Sequence, residues 1–276
     1  MLRIYSAASG EGVASFEEVD EVELGSTIGS LKRYLAKKHF ENRFSRFQLR
    51  LFREGDASEF QDDETLTQPL DVQLMLMNHL PPDRERDERF CFACHCGHLF
   101  DVEQSLKALQ NPNFVGIAGT PMSLAALHGN LDVIRLLLEA GANVGGGNSS
   151  PMTALHLAAQ QGHVEVVRLL LDFGADKEAV GVHQETALHW AAVKGHVNVT
   201  RLLLEAGAHK EAQREGGQRP LHCAAGHGHL EVVRLLLDFD ADKEAEDMTG
   251  WRARAPSLLD AWNGHVAFNP MCQMGA

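Results

Sequence analysis

The chain contains no run of 18 apolar residues, which excludes a membrane-spanning helix of ordinary length. It has no surplus of basic groups. Lys and Arg number 25 against 38 Asp and Glu, for a formal charge of −13. So acidic a surface argues against nucleic-acid binding, which needs clustered cations to displace phosphate counterions. Met1–Gly10 lacks the basic start and apolar stretch of a signal peptide. Cysteines number five, an odd count, and three of them crowd into residues 91–96. That is not the pattern of a disulfide framework, and it points to a reducing compartment, cytoplasmic or nuclear. What remains is an ordinary globular composition, 44% apolar and 23% charged, in 276 residues. That length suits two domains or one long array.

An internal period decides between them. Thr120, Thr153, Thr186 and Arg219 lie 33 residues apart. So do Leu136–Leu138, Leu169–Leu171, Leu202–Leu204 and Leu235–Leu237, and so do Gly162-His163, Gly195-His196 and Gly228-His229. Within a copy, Thr153 is placed to cap a short helix whose apolar face is narrow: Leu155, Ala158 and Ala159. Gly162 ends that helix. Val164, Val166, Val167 and Leu169–Leu171 form a bulkier second helix, and Gly174-Ala175-Asp176 leads into a turn. Such a pair cannot bury its own apolar faces; stacking the next copy on it can.

With T-A-L-H, G-H-V-E-V-V-R-L-L-L and G-A-D in place, the sequence resembles the ankyrin-repeat family. Four copies are expected at 118–150, 151–183, 184–216 and 217–249, with Ser123 replacing the motif histidine in the first. Residues 90–117 read as a degenerate leading cap, with Gly97-His98-Leu99, Val102 and Leu106 as a worn second helix. Residues 250–276 read as an incomplete repeat and tail, in which Gly264-His265 follows Gly228-His229 by 36 residues instead of 33.

Residues 1–78 lack the period. Leu2 and Ile4 alternate, Ser9–Gly12 reads as a turn, and Val13–Phe16 as a return strand. Ser26 or Thr27 can cap a helix presenting Ile28, Leu31 and Leu35. Phe47–Leu51 alternates as a third strand, a short strand is expected at Leu66, and Val72–Leu76 alternates as the last. This order, with M-L-R-I-Y, R-L-F-R-E-G, D-D-E-T-L and D-V-Q-L-M-L-M, resembles the ubiquitin-like β-grasp family. The implied fold class is multidomain: an α+β β-grasp domain followed by an all-α ankyrin-repeat solenoid. Met77 is followed by N-H-L-P-P, not a free Gly-Gly, so conjugation through this end is not expected. The family's apolar docking patch maps to Phe52 and Met75, with Ala8 a small stand-in in the first turn. Residues 79–89 read as a charged, Pro-containing linker, about 35 Å long if fully extended.

Three constellations invite chemistry. Cys91, Cys94, Cys96 and His98 have the residue types of a zinc site, but four ligands within eight residues leave little backbone to wrap an ion. Cys94 also falls where Ala159 stands in a good copy, so small-residue packing is the preferred reading, with a redox-sensitive thiol cluster as a third. His222, His227 and His229 resemble metal ligands, but the repeat explains them. His156, His189 and His222 share one slot; His163, His196 and His229 share another; the resemblance implies hydrogen-bonding imidazoles in both. Gly145-Gly146-Gly147 is followed by no Lys-Ser or Lys-Thr, so it is a turn and not a phosphate loop. No G-x-S-x-G or other nucleophile motif occurs. No metal, cofactor or catalytic residue is expected.

The resemblance implies a partner groove lined by turn tips and first helices, at slots that packing leaves free. These are Leu127 and His128; Ser149, Ser150, Met152, Gln160 and Gln161; Val182, His183, Glu185, Trp190, Val193 and Lys194; and Glu215, Gln218, Gly226 and His227. Trp190 stands where other copies carry Leu157 and Cys223, either as a partner anchor or as inter-repeat packing. The expected protein is a monomeric, non-enzymatic adaptor that holds a protein partner, with no small-molecule substrate and with a component of the ubiquitin pathway as a possible second partner. The alternative is an accessory module of a larger enzyme or channel.

Overall fold

A computed structural model describes residues 2–6, 12–16, 27–39, 46–53, 59–64, 70–77, 83–116, 119–145 and 151–252. They fall into two compact units, drawn from 1–93, 98–114 and 135–142, and from 94–97, 115–134 and 143 onward.

The first unit holds a four-stranded sheet. Strands β1 (Leu2–Ser6), β2 (Gly12–Phe16), β3 (Leu49–Arg53) and β4 (Leu70–Leu76) lie in the order β2-β1-β4-β3. β1 runs parallel to β4, with Leu2 opposite Leu70, while β2 and β3 run antiparallel to their neighbours. A parallel pair needs a crossover, and the segment between β2 and β3 carries helix α1 (Ile28–Tyr34). Thr27 caps α1 reciprocally with Ser30: the Thr27 hydroxyl accepts from the Ser30 N–H, and Ser30 Oγ accepts from the Thr27 N–H. Ile28, Leu31 and Leu35 are fully buried, as are Leu49 and Leu51 of β3. Phe47, expected to open the third strand, lies in the helical turn Arg46–Gln48 before it. The expected turn at Ser9–Gly12, apart from Gly12, the short strand at Leu66, Ala8, and the tail beyond Arg252 lie outside the described residues.

The expected linker is corrected in its second half. Helix α2 runs Arg84–Cys96. Asp83 Oδ1 accepts from the Arg86 N–H at 2.9 Å, and the pairs Arg84–Glu88 and Glu85–Arg89 follow at i,i+4. Asp87 is buried and accepts from the Gln110 amide. Opposite charges spaced one turn apart, with Pro81-Pro82 just upstream and no Gly or Pro within, favour a helix over a solvated tether.

Helices then alternate: α3 (Leu99–Lys107), α4 (Pro121–His128), α5 (Leu131–Glu139), α6 (Ala154–Gln161), α7 (Val164–Asp172), α8 (Ala187–Lys194), α9 (Val197–Glu205), α10 (Pro220–Gly226) and α11 (Leu230–Asp238). In the second unit α4, α6, α8 and α10 pack side by side, and α7 and α11 flank α9. The small residues make this possible. Ala125, Ala126, Ala158, Ala159, Ala191, Ala192, Cys223 and Ala224 are all fully buried, so first helices approach closely while Val and Leu fill behind them.

Candidate partner-binding surface

Two histidine ladders fix the repeats to one another. In the first, His156 Nδ1 accepts from the Thr153 N–H at 3.1 Å, and its Nε2 meets the Glu185 carbonyl at 3.0 Å. His189 repeats this with Thr186 and Gln218, and His222 with Arg219 and the Ala245 and Trp251 carbonyls. A ring nitrogen that accepts from an amide carries no proton, so the hydrogen sits on Nε2 and is donated to the next turn. Burial pushes all three imidazoles below the ordinary histidine range, His189 to about 4, despite the backbone carbonyls that raise them.

In the second ladder the Nε2 atoms of His163, His196 and His229 donate to the Leu127, Gln160 and Val193 carbonyls of the preceding first helix. These carbonyls stand near helix ends, where no intrahelical donor remains. Asn130 does the same work in the first copy, through the Cys94 and His95 carbonyls. The rings lie against glycine: a Cβ on Gly162 would come within 2.6 Å of His196 Nδ1.

These ladders leave the turns as a second ribbon. Gly181 bonds across to Glu185, Arg214 to Gln218, and Asp247 to Trp251, so each turn closes on itself at the 33-residue period. Successive turns are then tied: the Glu215 N–H donates to the His183 carbonyl at 2.9 Å, and the Met248 N–H to the Gly216 carbonyl at 3.0 Å. The His183 ring also meets Glu215 Oε2 at 2.9 Å. The tips stay free, with Val182 58% and Met248 83% exposed.

The expected slots distribute unevenly. His128, Gln161, Val182, His183, Lys194 and Glu215 are exposed; Leu127, Met152, Gln160, Trp190, Val193, Gln218, Gly226 and His227 are half-buried. Glu185 is buried, its carboxylate accepting from the His183 N–H at 2.7 Å, so it closes a turn instead of facing solvent. Trp190 is half-buried, and its indole Nε1 is itself buried with no hydrogen-bond acceptor among the described residues. His128 packs edge-on against His95 with ring centroids 4.0 Å apart, and burial, with the nearby His95 and His163, lowers it. Ser149 and Ser150 lie outside the described residues, as do the side chains of Phe52 and Met75. Met248, the turn-tip equivalent of Val182 and Glu215 one period further on, is not among the expected slots, although the 33-residue period reaches it.

The cysteines do not converge. Cys91 and Cys94 are buried in α2, while Cys96 and His98 are exposed. Burial, with Asp87 and Glu88 beside it, pushes the Cys91 thiol up to about 11. His227 Nδ1 donates to the Cys223 carbonyl and its ring stacks parallel to His229, while His222 is committed to its turn. Among the described residues no group of three or more His, Cys, Asp or Glu could hold an ion. No described helix is long and apolar enough to cross a membrane.

No curated protein matches the chain. The family model described as "Ankyrin repeats (3 copies)" matches residues 90–181 and 178–247, more than half the length. With the period, the paired helices and both histidine ladders in place, the chain belongs to the ankyrin-repeat family.

Proposed function

We propose that the protein is a non-enzymatic adaptor that holds a protein partner against its turn tips and first helices. The observation that carries this is the contrast between two sets of slots at one period. The packing slots are spent on hydrogen bonds and buried area, whereas Val182, Glu215 and Met248 at the turn tips are exposed. Exposed, non-repeating side chains on a rigid repeating frame are what a binding surface needs. Val182 and Met248 offer apolar contact and Glu215 a charge. Trp190 adds a large, half-buried ring in a first-helix slot, a residue type suited to a partner anchor.

The N-terminal sheet, with β1 parallel to β4 and a helix in the crossover, supports a ubiquitin-like β-grasp reading of residues 1–78. On that reading the segment supplies a second docking face around Phe52 and Met75, and a component of the ubiquitin pathway is its partner. We place the protein in the cytoplasm or nucleus, as a monomer. Affinity capture from native lysate with the full chain, Val182→Glu and Trp190→Ala tests the groove. Loss of the same captured protein by both variants, at unchanged thermal stability, supports it. Unchanged capture by both removes this surface.

A further inference from the structure

Most imidazoles of the repeats are already committed. The ladder rings hold turns and helix ends, His183 meets Glu215, and His227 donates to the Cys223 carbonyl. His95 and His128 differ. Both side chains are exposed, and among the described residues no hydrogen bond reaches either ring. Yet the two rings meet, with centroids 4.0 Å apart and planes at 66°. Two imidazoles thus share one small patch, and both lie within the second compact unit.

The frame beneath them is fixed. His95 stands in the last turn of α2, and His128 is the last residue of α4. The Asn130 amide donates to the Cys94 and His95 carbonyls, both at 2.9 Å, and so joins the end of α2 to the residues just past α4. His163 Nε2 holds the Leu127 carbonyl at 3.2 Å. Each ring therefore hangs from backbone that a neighbouring repeat pins. Two helix C-termini also meet here, and their partial negative charges favour a cation. Burial, with His95 and His163 nearby, lowers His128, which keeps its ring neutral and a nitrogen lone pair open at neutral pH.

We propose that His95 and His128 chelate one divalent transition-metal ion of the zinc, nickel and copper class, and so clamp the end of α2 to α4. Imidazole suits these ions. An ion about 2.1 Å from one nitrogen of each ring needs the centroids to open by on the order of 1 Å, a rotation open to two exposed side chains on a fixed backbone. This chain supplies two ligands, and water fills the other positions. The stacked pair His227–His229 offers no such site. Its ring planes lie within 6° of parallel at 6.2 Å, and one nitrogen of each ring already donates to a carbonyl. The clamp falls where the repeat pattern is most worn, since α2 belongs to the degenerate leading cap and has a neighbouring repeat on one side alone. The site does not depend on a protein partner.

The test titrates the full chain with Zn2+ by calorimetry at pH 7.5, beside His95→Ala, His128→Ala, Cys96→Ser and His209→Ala. All four side chains are exposed, so none of the changes empties the core; His209 is the control for adventitious binding and Cys96 for a thiol ligand. A supporting hydrogen bond to a ligand is worth about tenfold in metal affinity, so loss of a ligand itself should cost about tenfold or more. The expected result is a tightest equivalent of Zn2+ that weakens by that factor in both His95→Ala and His128→Ala and is unchanged in the other two. Amide exchange of residues 93–98 should slow on adding Zn2+ to the parent chain and not to the two histidine variants. No binding by the parent chain, or equal affinity in the parent and both histidine variants, overturns the site. Affinity lost in Cys96→Ser but kept in His128→Ala assigns the ion to the thiol and overturns the imidazole pair. Zn2+ bound by both rings with exchange unchanged overturns the clamp.

Discussion

His189 and Gln218 are joined across a repeat boundary by a 3.2 Å hydrogen bond from the imidazole Nε2 to the carbonyl oxygen. The bond requires a neutral ring, because Nδ1 already accepts from the Thr186 N–H. A second proton on Nδ1 would confront that amide.

Stability should therefore fall with acid. The folded His189 sits at about 4, below the ordinary value of 6.5, and His156 and His222 move the same way. Between those limits the unfolded chain binds more protons, so this stabilisation is complete above pH 6.5 and drains away toward pH 4. The His189 contribution is on the order of 3 kcal/mol. Urea unfolding at pH 7.5, 5.5 and 4.5 checks it; a midpoint that is flat across this range contradicts the neutral-ring ladder.

Two glycines with the same backbone should respond differently to alanine. Gly162 and Gly174 have φ of 80° and 79°, so both resist a side chain. A Cβ at Gly162 also strikes the His196 ring, whereas nothing lies within 4 Å of one at Gly174. Gly174→Ala should cost about 1 kcal/mol and Gly162→Ala roughly 2 kcal/mol or more, through the lost His196–Gln160 bond as well. Denaturant midpoints of the two variants decide; equal losses would count against the ring contact.

The core should be sensitive where the repeat is bulky. Leu170 is fully buried behind the alanine face, so Leu170→Ala should cost about 2–5 kcal/mol. Val182→Glu, at an exposed tip, should shift stability by less than about 0.5 kcal/mol. Thermal melts of both, taken with the capture experiment, separate loss of fold from loss of binding.

The cysteines should differ in reactivity. Cys96 is exposed, while Cys91 is buried with its thiol raised to about 11, and Cys94 and Cys223 are buried. Peptide-resolved alkylation of the folded chain at pH 7.5 should label Cys96 well before those three. Rapid labelling of Cys91 would contradict the helix packing around it.

Much of this was legible in the chain. Thr153, His156, Gly162 and His163 recur because each performs one local task per repeat, so their roles follow from spacing. The segment 84–89 reads as a linker when its charge is weighed without its period: the same residues that solvate a linker also pair at i,i+4 along a helix. The burial of Glu185 is not legible in the sequence, because exposure of a turn residue depends on where its carboxylate finds a donor, here two residues back at His183.

The sequence by itself determined the paired helices between Pro121 and Asp238 and their stacking, because both follow from a 33-residue recurrence of caps, alanines and leucines. Only the tertiary structure decided which imidazole nitrogen faces which carbonyl, and that Arg46 and Arg50 end on α5 and α3. The reason is range. Period and capping act within a few residues along the chain, whereas Arg46 and Glu139 lie 93 residues apart and are brought together by folding alone.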